Sequence, residues 1–230
     1  MRILNTSDHS AEVSFGDTIA FEHHQKVAAI TRRLLERAAD TSTGILNIHP
    51  AYASVLVSFD PRRVTHTAVR ELIRACGEDL EAAAASAENR LIEIPVCYGG
   101  AFGPDLETVA LSNGLTCDEV VGIHSSAEYR VFFLGFSPGF PYLGGLPRTL
   151  ATPRLDVPRK LVPAGSVAIG GSQTGIYPVA SAAGWRVIGR TPLRLFRPDR
   201  NPPTLLWMGD RLRFVAITLE EYERAQPASR

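Results

Sequence analysis

The sequence predicts an α+β protein of two domains, on three observations. Residues 1–85 run through strand-like and helix-like segments in the order β, β, α, β, β, α. Beyond Tyr129 short strand-like runs alternate with Gly- and Pro-rich connections. At 230 residues the chain is long enough for two cores. The expected division is a ferredoxin-like α+β domain over 1–85 and a β-rich domain over 86–230.

Taking the elements in order, RILNT and AEVSF are short strand candidates. IAFEHHQKVAAITRRLLERAA then sets Ile19, Val27, Ile30, Leu34 and Leu35 at helical spacing, with Asp17 or Thr18 as N-cap. ILNIHP and SVLVSFDP form the next strand pair. THTAVRELIRAC repeats the helical spacing through Val69, Leu72 and Ile73 and stops at Gly77, where a C-cap glycine belongs. The alanine-rich EAAAASAEN marks the boundary, and LIEIPVCYGG opens the second domain as a strand.

Two short helices follow, in PDLETVALSNG and TCDEVVGIHSS, the second with Thr116 and Glu119 at capping-box spacing. YRVFFLGF, GSVAIG, WRVIGRTP and RLRFVAI then read as strands of a small barrel or sandwich, and TLEEYERAQ as a closing helix.

Composition narrows the function classes. The chain is 45% hydrophobic and 21% charged with zero formal net charge, so no global field favours nucleic acid. From Arg148 to Arg213, however, eleven Lys/Arg stand against three Asp/Glu, a locally basic stretch. No apolar run reaches membrane-spanning length and MRILNTSDHS lacks the features of a signal peptide, so the expected location is the cytoplasm, with no membrane partner. Cys76, Cys97 and Cys117 include no C-x-x-C pair and are expected to be reduced and buried. The six histidines show no metal-ligand spacing, and no metal site is assigned.

Gly135-Phe136-Ser137-Pro138-Gly139 matches the G-x-S-x-G pattern of serine hydrolases. The chemistry argues against that use. A nucleophile elbow takes an oxyanion N–H from the residue after the serine, and Pro138 has none. All six histidines also precede Ser137, the reverse of that fold's triad order. The stretch FLGFSPGFPYLGGLP instead suits a rigid, aromatic-lined loop where backbone approaches a ligand, or equally a barrel corner filled with rings.

Other candidates lie further on. Arg154, Arg159 and Lys160 precede the glycine-dense GGSQTG, a combination that suits a carboxylate or phosphate; the competing reading is a solvated arginine face beside a hairpin. Ile176 after Gly175 rules out a Walker A ending. Trp185, in GWRVIGRTP with Arg190, is either a core plug or a stacking platform. His124 ends a helix, where the C-terminal dipole favours its protonated form as cap or as base.

FLGFSPGFPYLGGLP, PRLDVPR, VPAGSVAIGGSQTGIYP, GWRVIGRTP and GDRLRF, taken together, resemble the family that joins the 5-oxoprolinase B subunit, KipI-type histidine-kinase inhibitors and allophanate hydrolase subunit 1 domains. The resemblance spans nearly the whole chain, including PAYASVLVSFDP. It departs at Ala182-Ala183-Gly184-Trp185, where the family usually has Pro-Gly-Gly-Trp.

The resemblance implies a ferredoxin-like domain followed by a cyclophilin-like β-barrel. It also implies a hydrolase complex, completed by the 5-oxoprolinase C and A subunits, that opens 5-oxoproline, a small cyclic amide, to glutamate using ATP and Mg²⁺. His124, Arg154 and Arg159 are the catalytic candidates, and Gly170, Gly171, Gln173, Thr174, Tyr177, Trp185 and Arg190 the substrate-binding ones. The alternative is a regulatory protein that inhibits a sensor histidine kinase.

Overall fold

In the computed structural model the described residues are 1–81 and 90–226. The chain divides into two compact units, Met1–Glu88 and Asn89–Arg230. Apart from Glu81, the expected boundary segment EAAAASAEN lies outside the described residues.

The first unit is a four-stranded antiparallel sheet with two helices. Its strands are β1 (Arg2–Ser7), β2 (Ser10–Ser14), β3 (Ile45–Pro50) and β4 (Ser54–Phe59), ordered β1-β2-β4-β3. Along β4, Val55, Val57 and Phe59 are buried while Ser54, Leu56 and Ser58 are half-buried, the period of two that gives a strand one apolar face. Helices α1 (Phe21–Ala38) and α2 (His66–Cys76) supply Val27, Ile30, Leu34, Val69 and Ile73 to the core of this unit.

Thr65 caps α2 by accepting from the Ala68 N–H. The expected cap of α1 is not realised, because the helix starts at Phe21 behind Ala20 and has no side-chain cap. Ile19 precedes the helix and is exposed. Leu35, one helical step of about 100° beyond Leu34, also turns to solvent.

In the second unit the open choice between barrel and sandwich resolves as a closed barrel. Its strands are β5 (Leu91–Tyr98), β6 (Glu128–Leu134), β7 (Pro141–Gly144), β9 (Ser166–Gly170), β10 (Gln173–Ile176), β12 (Arg186–Arg190) and β13 (Arg211–Ala216). They close in the order β10-β7-β6-β13-β5-β12-β9, and the β13–β5 pair is parallel. β8 (Arg159–Val162) and β11 (Ser181–Ala183) form a separate antiparallel ribbon.

Helices α3 (Leu106–Ser112) and α4 (Cys117–Ser126) pack Val109 and Val120 into the core that holds Ile94, Val131, Ile169 and Phe214. α4 carries the full capping box of Thr116 and Glu119, and the short α5 (Leu219–Ala225) repeats it with Thr218 and Glu221.

Strand β9 is buried along its whole length. Val167 and Ile169 face the main core, while Ala168 joins a second cluster with Phe140, Val162, Tyr177, Ala183, Trp185 and Val187. Two covered faces explain a strand without polar alternation. Cys76 and Cys97 are buried free thiols, whereas Cys117, first residue of α4, is half-exposed rather than buried as expected. Among the described residues no helix is long and apolar enough to cross a membrane.

Candidate functional site

The second cluster joins the barrel wall to the β8–β11 ribbon, and at its edge opens a pocket of about 300 Å³. Phe136, Phe140, Tyr142, Tyr177 and Trp185 are among its lining residues, and Arg154 is the one cation among those described. The rings meet edge to face: Phe140 lies 5.2 Å from Tyr142, 5.2 Å from Tyr177 and 5.8 Å from Trp185. Burial pushes the Tyr177 hydroxyl up to about 12, against a smaller opposing pull from Arg154, so it stays protonated at neutral pH.

Arg154 is exposed, and its guanidinium lies over the Trp185 ring, 5.6 Å from the centroid. Among the described residues no carboxylate pairs with it. The backbone on either side is pinned. Thr152 and Gly171 exchange two hydrogen bonds, the Leu155 N–H donates to the Gly184 carbonyl at 2.7 Å, and Arg186 Nε donates to the Pro153 carbonyl at 3.2 Å. A fixed backbone thus presents an uncommitted planar cation above an indole. That arrangement suits a small carboxylate, which the guanidinium can hold in two parallel hydrogen bonds.

Of the residues expected from sequence, the structure brings Arg154, Tyr177 and Trp185 together here and places the others elsewhere. Arg159 is committed: its two terminal nitrogens each donate at 2.7 Å to the Asp105 carboxylate, which also accepts the Val187 N–H at 2.7 Å. Asp105 is buried at the start of α3, so the pair fastens that helix to the ribbon and to β12. Two of the five N–H donors of Arg159 are spent on an internal carboxylate, and Arg159 is not among the described residues that line the pocket.

His124 is fully enclosed in the barrel, and its expected protonated form is reversed, because burial lowers its pKa to about 3. The tautomer follows from its partners. Thr174 donates its single hydroxyl proton to the Ala168 carbonyl at 3.0 Å, so His124 Nε2 carries the ring proton and donates to Thr174 Oγ1 at 3.1 Å. Nδ1 then accepts from the Tyr98 hydroxyl at 2.8 Å. Phe214 stacks on the ring with centroids 4.4 Å apart. His124 and Thr174 are therefore core residues.

The glycine-dense segment is a β-hairpin and not an anion cradle. Gly170 pairs with Gln173 across a two-residue turn, and Gly171 takes the positive φ (64°) that a glycine at the first central position supplies. The Gly171 N–H is already donated to Thr152. Gly170 is small for another reason: a Cβ there would stand 2.6 Å from the Trp185 ring. Arg190 lies over Phe102, 5.0 Å from the ring centroid, and does not line the pocket.

The hydroxyl of Ser137 is buried without a hydrogen-bond partner among the described residues, so it has neither a base nor access to substrate. The two readings of its loop prove compatible: Phe140 is buried in the second cluster, and Phe136, 64% exposed, walls the pocket. Phe136, Phe140 and Tyr142 were legible only as an aromatic-rich stretch. Asp105 carried no sequence signal. Among the described residues no group of three or more His, Cys, Asp or Glu is placed to hold a metal.

Comparison with known proteins gives concordant results. The family model described as carboxyltransferase domain, subdomain C and D, matches residues 1–206. The 5-oxoprolinase B subunit of Bacillus subtilis (strain 168) is 41% identical over 235 residues, covering 96% of this chain and 95% of that protein. The protein of the same name from Escherichia coli O157:H7 is 50% identical over 183 residues, covering 80% and 83%. The crystal structure of TTHA0988 matches with a TM-score of 0.80 at 35% identity over 90% of this chain, which spans 40% of that longer chain.

Proposed function

This chain belongs to the carboxyltransferase domain family, subdomain C and D, and from that membership and its pocket we propose that it is the B subunit of a 5-oxoprolinase, opening 5-oxoproline to glutamate. The observation that carries the reading within the molecule is Arg154, a cation without a carboxylate partner among the described residues, held over Trp185 in a pocket lined by five aromatic rings. 5-Oxoproline is a flat five-membered lactam bearing one carboxylate. The carboxylate pairs with Arg154, the rings exclude water around the lactam, and the Tyr177 hydroxyl is available as a donor.

Ring opening adds one water across the lactam C–N bond, oxygen to the carbonyl carbon and a proton to nitrogen. In this scheme the chain's own residues bind and orient the ring. ATP and Mg²⁺ are assigned to the complex with its partners, the C and A subunits; the GGSQTG segment here is a hydrogen-bonded hairpin. On the same reading the barrel is cyclophilin-like, and the first unit is a ferredoxin-like sheet entered one strand early. The strand order β1-β2-β4-β3 with two helices supports the latter.

The test is co-purification with the C and A subunits followed by ATP-dependent glutamate release from 5-oxoproline in the cytoplasmic fraction and in the reconstituted complex. An inactive reconstituted complex sinks the proposal. The kinase-inhibitor alternative rests on no comparable observation.

A further inference from the structure

Phe136 violates two ordinary preferences at once. Its φ is +64°, in a region that L side chains rarely adopt, and the residue, large and apolar, is 64% exposed. The loop imposes the backbone. The Ser137 N–H donates to the Gly135 carbonyl at 2.7 Å, closing a three-residue turn around Phe136, and the Gly135 N–H and Phe140 carbonyl close the loop at 3.1 Å. A γ-turn with positive φ at its centre is the rare, strained kind, and glycine would relieve the strain. The ring meets two other residues that line the pocket, Phe140 edge-on at 5.5 Å and Tyr177 at 6.4 Å. Strain and exposure at one residue that walls a pocket indicate a ligand-facing role rather than a folding role.

We propose that Phe136 is the specificity-determining wall of this pocket, selecting small carboxylates that carry a compact five-membered ring over acyclic ones, while Arg154 holds the carboxylate common to both. The proposal rests on the reading of the pocket as a 5-oxoproline site, but its test does not need turnover. Cyclopentanecarboxylate and acetate share a carboxylate and differ in the ring. Their binding is followed by Trp185 fluorescence in a Trp207→Phe background, since the chain has two tryptophans.

The full chain is expected to bind cyclopentanecarboxylate more tightly than acetate. Phe136→Gly should abolish that preference, with affinity for the cyclic acid falling about tenfold and acetate unchanged, while the melting midpoint stays level or rises. Arg154→Ala should weaken both acids. Equal affinities in the parent chain, a preference that survives Phe136→Gly, or a lowered midpoint in that variant would each overturn the proposal. If the preference behaves as expected but reconstituted complex leaves 5-oxoproline intact, the wall stands and the substrate assignment fails.

Discussion

Arg159→Ala removes two 2.7 Å hydrogen bonds from the Asp105 carboxylate and leaves it one, from the Val187 N–H. Breaking a buried ion pair from one side costs about 3–5 kcal/mol, since the remaining charge is stranded. Here the Asp105 side chain is 6% exposed but that of Arg159 is 32% exposed, so solvent reaches part of the pair. The discounted cost is about 2–3 kcal/mol. For a unit of this size that lowers the melting midpoint by about 5–10 °C.

Arg154, five residues earlier, makes the opposite prediction. It is exposed and has no carboxylate partner among the described residues, so alanine should leave the midpoint within about 2 °C. Loss of a charge-assisted contact to the substrate carboxylate should raise KM about 10–100-fold. Scanning calorimetry of both variants, with KM for 5-oxoproline in the reconstituted complex, reads the two effects separately. An Arg159→Ala protein with an unshifted midpoint and a raised KM would refute the division of labour between these arginines.

The remaining predictions concern the core and the loop. His124 is neutral in the fold with a pKa of about 3 and titrates near 6.5 when unfolded, so the unfolded chain binds the extra proton between those values. Its contribution is complete above about pH 6.5 and falls as pH drops toward 3, by about 2 kcal/mol at pH 5. Urea unfolding from pH 7.5 to 5 should show that slope, and His124→Asn, though less stable overall, should lack it; an identical slope in both disproves the assignment. Ser137→Ala should retain activity within about twofold and be no less stable, because it removes a buried hydroxyl without a partner among the described residues. A loss of a thousandfold or more would restore the nucleophile reading. Gly170→Ala places a methyl 2.6 Å from the Trp185 ring, and the forced shift should cost about 1–3 kcal/mol and abolish the ligand response of Trp185 fluorescence.

What could be read from the chain beforehand was whatever depends on near neighbours in sequence. The helical spacing of Val27, Ile30 and Leu34, the caps at Thr65 and Thr116, the alternation in β4 and the incompatibility of Pro138 with an oxyanion hole are all decided within a few residues. The same holds for the resemblance, which is carried by contiguous motifs. The misplaced cap of α1 marks the limit even there: Asp17 and Thr18 had suitable chemistry, but the helix began at Phe21.

Sequence by itself determined the helices and the longer strands, though not the short β7, β8, β10 and β11, together with the β-rich second unit, the family and the pool of candidate side chains. Tertiary structure decided which candidates are free to meet a ligand. Arg154 and Arg159 have the same chemistry and nearly the same address. What separates them is Asp105, 54 residues away, brought to one of them by the packing of α3 against the ribbon and β12. His124 looked available at a helix end until barrel closure set Thr174, 50 residues on, against its ring. A charge or a ring nitrogen acquires its role from the partner that folding puts beside it, and partners so distant in sequence are chosen by strand register and closure, which no local pattern encodes.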